Sequence, residues 1–331
     1  MKLDRRALLA IGAGTLAAPV PGQTPPPATG GVQPALSDPV ETIDLWPSGV
    51  LTPPSGLVEQ VVQRGEERAT SDRFVRGVAR PRLVVFRPAR PNGRAVLVTP
   101  GGGYSVIVID KEGYELGRWL SARGYTVFVL FYRLPGEGWA NRADVALADA
   151  QRAMRVIRSR ADRYGFDAER VVAVGFSAGG HLCADLATRF DAPVYATIDA
   201  ADRLPARPWL AAPIYPVISM TAPVAHGGSR NQLLGTEAAH PVEQAHSPDR
   251  NMPADAPPLF LVHAEDDNVV PVENSLLLRA AARARGIPVD SHLFASGGHG
   301  FGLAGARGKP VGIWPELLQR WIETQRWIET R

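Results

Sequence analysis

The chain has 331 residues, 45% of them hydrophobic, which is enough to bury a full core. Its formal net charge of +3 provides no electrostatic footprint for nucleic acid or for an anionic membrane. The single cysteine, Cys183, excludes an internal disulfide and a zinc site built on several thiolates, and its apolar helical surroundings predict a core residue.

The first segments in chain order precede the folded part. Residues 1–22 combine a basic start, a short apolar stretch and small residues, which predicts an export signal. The pair Arg5-Arg6 resembles the start of a twin-arginine signal, so we expect a periplasmic or secreted protein; a cytoplasmic arm is the alternative. The apolar stretch is shorter than the ~20 residues that span a bilayer, so we expect no stable membrane insertion. Residues 23–55 are rich in proline and predict an extended segment or linker.

Residues 56–331 predict one domain in which strands and helices alternate. Seven β-branched or aromatic runs predict strands at 83–86, 95–98, 125–132, 171–176, 210–216, 258–264 and 289–295. Helical patterns lie at about 113–122, 141–164, 178–190, 272–285 and 313–330. This alternation predicts an α/β fold whose mostly parallel central sheet has helices on both faces. Residues 217–257 lack a period and predict a long irregular stretch near a site at the strand ends.

The strongest chemical signal is the run VVAVGFSAGGHL, in which residues 175–179 fit G-x-S-x-G. The pattern follows a predicted strand and precedes a predicted helix, so the turn would project the hydroxyl of Ser177 above the sheet. The helix amino terminus behind the serine favours negative charge. A glycine-rich helix entry with an incidental serine is the alternative, and the strand-turn-helix context favours a nucleophile.

A serine nucleophile needs a general base and an acid that orients it, and the sequence supplies both after Ser177. His299 lies in the loop LFASGGHGFGL after the last predicted strand, where the loop can bend back towards the serine. The run LFLVHAEDDNVVP places Glu265, Asp266 and Asp267 just after the preceding strand. Position alone does not choose among these three acids.

The glycine triplet at residues 101–103, in TPGGGYS, lacks the third glycine of a dinucleotide fingerprint and the Lys-Ser/Thr of a P-loop. Residues 12–17 do match G-x-G-x-x-A, but they fall inside the predicted export signal with no strand before them. The residues therefore predict no nucleotide-binding loop.

Together these motifs resemble the α/β-hydrolase esterases of the acetyl esterase and acetylxylan esterase type, which are distantly similar to hormone-sensitive-lipase-like esterases. The resemblance covers about residues 45–314 and rests on PGGGYS, KEGYELGRWL with FYRLP, DAQRAMRVIRSRA, GFSAGGHL, GSRNQLLG, PPLFLVHAEDDNVVPVENS and GGHGFGL. It implies that Ser177 is the nucleophile, that the acid of H-x-x-x-D-x-x-V-P is Asp267, and that the base is His299.

The same resemblance implies that the glycine triplet forms part of an oxyanion hole. Related esterases begin this loop with His-Gly-Gly-Gly, whereas Pro100 replaces the histidine here, as in the acetylxylan-esterase-like branch. Gly102 and Gly103 would supply loop amides and Ala178 the remaining amide, and the amide of Tyr104 is an alternative to one of the glycines.

The implied function is serine carboxylesterase activity on short acyl esters, above all acetyl groups on xylan-type or other sugars, with no metal or cofactor. The expected partner is a small-molecule or oligosaccharide ester, and the sequence does not predict an oligomeric state. A general short-chain carboxylesterase is the alternative. A prolyl-oligopeptidase-like peptidase is disfavoured because the amino-terminal segment cannot hold a propeller domain, and a non-catalytic binding protein is disfavoured by the intact Ser, Asp and His set.

Overall fold

The order of elements along the chain alternates between strands and helices, as the sequence predicts. The computed structural model describes residues 38–64 and 71–325, so the predicted export signal at residues 1–22 lies outside the described residues. The strands are β1 (Thr42–Asp44), β2 (Gln60–Gln63), β3 (Arg73–Arg76), β4 (Arg82–Phe86), β5 (Gly93–Thr99), β6 (Ile107–Val108), β7 (Thr126–Phe131), β8 (Phe166–Phe176), β9 (Leu210–Ile214), β10 (Leu259–Ala264) and β11 (Val289–Phe294). The α-helices are α1 (Glu115–Ser121), α2 (Val145–Arg158), α3 (Ala161–Tyr164), α4 (Ser177–Thr188), α5 (Gly227–Leu234), α6 (His240–Ala245), α7 (Glu273–Ala284) and α8 (Trp314–Thr324).

Eight strands form one sheet in the order β1-β4-β7-β5-β8-β9-β10-β11. The pairs β1–β4 and β4–β7 are antiparallel, and all other neighbours in this sheet are parallel. All seven predicted strands lie in this sheet. The central strands β5, β7, β8, β9 and β10 are almost continuously buried, as expected for parallel strands covered on both faces. The architecture is the α/β-hydrolase fold that the sequence predicts.

The parallel pairing brings the predicted site residues to one edge of the sheet. The last residue of β5, Thr99, pairs with Gly175 near the end of β8, so the glycine triplet and Ser177 follow neighbouring strand ends. The last residues of β10 and β11, Ala264 and Phe294, are also partners. The loops that follow them carry the acidic run and His299. Four segments far apart in sequence therefore meet where parallel strands end.

The structure differs from the predicted elements at two helical regions. Residues 217–257 are not wholly irregular, because they contain the short helices α5 and α6, whose mixed polar composition gives no apolar period. The single helix predicted at 141–164 is divided into α2 and α3, with a break at Ser159 and Arg160. Within the Pro-rich segment, Thr42–Asp44 forms the edge strand β1 of the large sheet.

A second sheet of three strands, in the order β2-β3-β6, lies outside the predicted set. In the parts of the chain that the structure describes, no helix is long and apolar enough to cross a membrane. Cys183 is a free, buried thiol, and burial raises its pKa to about 12, which fits the predicted core role.

Candidate active site

Ser177 stands at the sharp turn between β8 and α4. Phe176 still has extended backbone (φ −120°, ψ 135°), whereas Ser177 has φ +52°, in the left-handed region that L-residues avoid at a cost of ~1–3 kcal/mol. The turn also needs a small residue two positions later. A Cβ on Gly179 would collide with the carbonyl oxygens of Thr99 and Pro100. This close approach of α4 to the end of β5 explains the glycines around the serine.

Ser177, His299 and Asp267 form one chain of hydrogen bonds. The Oγ of Ser177 lies 2.9 Å from Nε2 of His299, and Nδ1 of His299 lies 2.7 Å from Oδ2 of Asp267. Because an ionised carboxylate only accepts, Nδ1 carries the proton of the neutral ring, and Nε2 accepts the hydroxyl of Ser177. The structure thus brings together the three residues that the sequence singled out.

The carboxylate of Asp267 is held in its ionised form from several sides. Burial by itself raises its pKa, but hydrogen bonds from His263, His299 and the amide of Val270 outweigh burial and leave the pKa well below its usual range. Its Oδ1 accepts from the amides of Val269 and Val270, both at 2.9 Å. The side chain is fully buried, so it faces His299 as a fixed negative charge.

The structure separates the three neighbouring acids that position alone left equivalent. Glu265 and Asp266 are exposed, whereas Asp267 is buried. Oδ1 of Asp266 accepts from the amides of Gly297 and Gly298, at 2.8 and 2.7 Å, and so fixes the loop that carries His299.

His263, inside β10, supports Asp267 from the other side. Its Nε2 lies 3.0 Å from the carbonyl oxygen of Val270 and 3.2 Å from Oδ2 of Asp267, so this nitrogen is the donor. Its Nδ1 accepts from the hydroxyl of Ser275 at 2.8 Å. The spacing H-x-x-x-D is thus explained by one histidine that contacts the acid four residues later.

The glycine triplet curls beside Ser177. The amide of Gly101 is already used, because it donates to Oε2 of Glu112 at 2.9 Å. Gly102 has φ +130° and its Cβ position coincides with the backbone of Val106, so only glycine fits. Within residues 71–325 the amides of Gly102 and Gly103 have no recorded acceptor. Ala178 lies in the first turn of α4, where amides lack acceptors in the helix.

Glu112 joins the two loops behind the site, and no catalytic pattern in the sequence selects it. Its Oε2 accepts from Gly101, and its Oε1 accepts from the hydroxyl of Tyr215 at 3.0 Å. The same hydroxyl accepts from the amide of Gly302, three residues after His299, at 3.1 Å. Burial raises the pKa of Glu112, against the lowering effects of Lys111 and His299. The motif KEGYELGRWL was visible in the sequence, but Tyr215, the partner of Glu112 that leads to the loop after His299, lies 103 residues further along the chain.

The ring of Tyr104, in the glycine loop, is anchored by His181 in α4. Nε2 of His181 donates to the carbonyl of His246 at 2.8 Å, so Nδ1 accepts from the hydroxyl of Tyr104 at 2.7 Å. His181 is fully buried, as its position one turn into the helix predicts, and it ties α4 to the glycine loop and to the segment after α6.

Among residues 38–64 and 71–325, no group of three or more His, Cys, Asp and Glu side chains is arranged to hold a metal ion.

The chain is similar in sequence to known proteins from two other bacteria. It is 32% identical to an acetylxylan esterase of Xylanibacter ruminicola over 225 residues, which cover 67% of this chain and 44% of the relative. It is 36% identical to endo-1,4-beta-xylanase B of Butyrivibrio fibrisolvens over 214 residues, or 63% of this chain and 32% of that protein. The chain therefore spans less than half the length of either relative.

Comparison of structures gives the same grouping. The crystal structure of an acetyl ester-xyloside bifunctional hydrolase from Caldicellulosiruptor lactoaceticus superposes with a TM-score of 0.71 at 31% identity, covering 87% of this chain and 97% of that one. The BD-FAE family model matches residues 85–281, more than half of the chain, including Ser177 and Asp267. The chain has the α/β-hydrolase fold and belongs to the BD-FAE family.

Proposed function

We propose that the protein is a serine carboxylesterase that hydrolyses short acyl esters, with acetyl esters of xylan-type or related sugars as its substrates. The observation that carries the proposal is the chain from Ser177 Oγ to His299 Nε2, 2.9 Å, and from His299 Nδ1 to Asp267, 2.7 Å. A hydroxyl, an imidazole and an ionised carboxylate in this order form the machinery of acyl transfer.

In the proposed reaction, Ser177 Oγ bonds to the carbonyl carbon of the ester while His299 Nε2 takes the hydroxyl proton. The resulting oxyanion is stabilised by the amides of Gly102, Gly103 and Ala178. Removal of one such donor typically lowers the rate by ~10²–10³-fold. The carbon–oxygen bond to the alcohol then breaks, and His299 gives the proton to the departing oxygen. Water attacks the acyl-serine with His299 as base again, which releases the acid and returns the proton to the serine.

The choice of acetylated sugars rests on the relatives and on location. One relative is named an acetylxylan esterase, and the other is named a xylanase. We propose that the protein acts outside the cytoplasm, where polysaccharide is found, on the strength of the signal predicted at residues 1–22. A small, water-borne substrate also suits a site whose acid is fully buried and whose histidine is partly exposed.

The test is hydrolysis by the purified protein, followed by labelling with a fluorophosphonate probe that reacts with activated serines. We expect release of p-nitrophenol from its acetate, release of acetate from acetylated xylan, and labelling that is lost in Ser177→Ala. Turnover of p-nitrophenyl acetate without release from any sugar acetate would leave a general short-chain carboxylesterase.

The matched control is Ser121→Ala. Ser121 ends α1, shortly before the amino end of β7, and so lies at the opposite edge of the sheet from Ser177. Its hydroxyl donates to the carbonyl of Arg118 within its own helix turn. We expect this variant to be labelled and active like the wild type, and equal labelling of Ser177→Ala would contradict the proposal.

A further inference from the structure

His226 is the N-cap of α5, in the segment between β9 and β10. Its Nδ1 accepts from the backbone amide of Ser229 at 3.2 Å and from the Ser229 hydroxyl at 2.8 Å. Because Nδ1 is an acceptor, the neutral ring carries its proton on Nε2. In the part of the chain that the structure describes, no hydrogen-bond partner of this Nε2 is recorded. The fold thus fixes the ring and leaves its outer donor free.

The ring lies beside the candidate active site. The hydroxyl of Ser229, to which it is bonded, is 3.9 Å from where a Cβ on Gly103 would stand, so α5 begins against the glycine loop. His226 is half-buried, and burial lowers its pKa. A positive charge on His299 lowers this pKa further, whereas the charge on Asp267 raises it. His226 is therefore close to the glycine loop and within electrostatic range of the His299–Asp267 pair.

We infer that Nε2–H of His226 donates a hydrogen bond to an oxygen on the alcohol part of the substrate, next to the ester. This inference rests on the proposed function, in which His299 returns its proton to the departing alcohol oxygen. The alcohol part must then lie beside His299, whose charge acts on His226. A sugar acetate carries a hydroxyl on the carbon next to its ester, whereas a simple alkyl acetate does not. His226 would thus favour esters of polyols.

The experiment compares kcat/KM for 2-hydroxyethyl acetate and for ethyl acetate, which differ only by the neighbouring hydroxyl. The informative variant is His226→Asn, because asparagine is a favoured N-cap whose oxygen still accepts from the Ser229 amide. The asparagine side chain is too short to place a donor where Nε2–H of His226 stands. One neutral hydrogen bond corresponds to about 5- to 10-fold in affinity or rate. We expect the wild type to prefer the hydroxy ester by about this factor and the variant to lose the preference.

The preference is a ratio within one protein sample, so partial misfolding of a variant does not change it. His240→Asn is the matched control, since His240 is an exposed histidine on α6 whose ring bonds to Glu243 and Gln244 on the same helix. We expect this control to keep the wild-type ratio. A wild type without any preference, or a preference that survives in His226→Asn, would overturn the inference. If the wild type hydrolyses neither these esters nor p-nitrophenyl acetate, the proposed function itself fails.

Discussion

Glu112 is a single residue on which two parts of the site depend. It holds the amide of Gly101, in the glycine loop, and through Tyr215 it holds the loop after His299. In Glu112→Ala both loops lose this support, and a displacement of about 1 Å can cost ~10²-fold in rate. We expect kcat for p-nitrophenyl acetate to fall by about 10- to 100-fold. In Glu112→Gln, whose amide oxygen still accepts from Gly101, we expect a much smaller loss.

Glu115→Ala is the control for this prediction. Glu115 also has a pKa that burial raises, and its Oε2 also accepts from a backbone amide, that of Ala304, at 2.9 Å. It has no recorded contact with Ser177, His299 or the glycine loop, all of which the structure describes. Because Ala304 also lies in the loop after His299, this variant removes support from that loop alone, and we expect it to lose stability with a smaller loss of kcat than Glu112→Ala. Equal loss of kcat in Glu112→Ala and Glu115→Ala would show that burial alone explains the effect.

The site residues that could be predicted from the sequence lie in local motifs, whereas those that could not be predicted depend on contacts between distant segments. Ser177 and His299 stand in local patterns, a G-x-S-x-G turn and a glycine-rich loop, whose geometry follows from neighbours in the chain. Glu112 and His181 act through partners that the fold brings from distant segments. The position of His181 one turn into α4 predicts that it is packed, but no local pattern identifies the distant partners of either residue. The choice among three adjacent acids likewise needed the family resemblance or the observed burial.

At the scale of elements, buried polar contacts tie the segment around β1 to α2. Trp46 donates from Nε1 to Oδ1 of Asp149 in α2, at 2.8 Å. The guanidinium and backbone amide of Arg133 donate to the same carboxylate, at 2.8 to 3.1 Å. Removal of one member of a buried ion pair costs about 3–5 kcal/mol, because it leaves an uncompensated charge. We expect Asp149→Ala to lower the free energy of unfolding in urea by this amount.

Asp44→Ala is the control for Asp149→Ala, because Asp44 pairs with Arg80 at the surface, where both side chains are largely exposed. Exposed pairs contribute about 0.2–1 kcal/mol, so this variant should unfold close to the wild-type urea concentration. Similar losses in the two variants would mean that the buried contacts of Asp149 do not anchor the segment.

The elements that the sequence did not predict are short or at an edge. β1 has three residues, of which only Ile43 is buried, so its alternation of apolar and polar residues is too short to predict a strand. α5 and α6 draw their stability from contacts rather than from an apolar face, and α5 buries only Ser229 and Leu233. The long parallel strands were predictable, because burial on both faces requires continuous apolar runs.

For the whole molecule, the order of strands and helices suffices to predict the layered α/β architecture, whereas strand order and the second sheet depend on pairings between distant segments.

The response of the protein to acid depends on buried groups that the fold holds in one protonation state. Burial lowers the pKa of His181 from 6.5 to about 4, against the raising effect of its bond to the carbonyl of His246. Burial likewise lowers the pKa of His226, His246 and His292. Each of these groups destabilises the fold as the pH falls.

The last prediction concerns the pH dependence that His181 alone contributes. Below pH 6.5 the unfolded chain binds a proton at this histidine, but the folded chain does so only near pH 4. Stability from this group is therefore complete above pH 6.5 and falls towards pH 4, by about 3 kcal/mol at ~1.4 kcal/mol per pH unit. We expect urea unfolding of His181→Gln, which cannot titrate, to lose about that much less stability than the wild type over this range.

The comparison isolates His181 because the other buried groups are present in both proteins. His226, His246 and His292 act in the same direction, and Glu112 and Asp185, whose pKa values are raised by burial, act in the opposite one. Their contributions cancel when the wild-type curve is subtracted from that of the variant, except for that of His246, whose pKa a charge on His181 lowers. Fluorophosphonate labelling of Ser177 reports whether the variant keeps the fold. Curves that run parallel from pH 6.5 to 4 would mean that His181 binds its proton at the same pH in the folded and in the unfolded chain. Below that pH a protonated Nδ1 could not accept from Tyr104, and the glycine loop would need a different anchor.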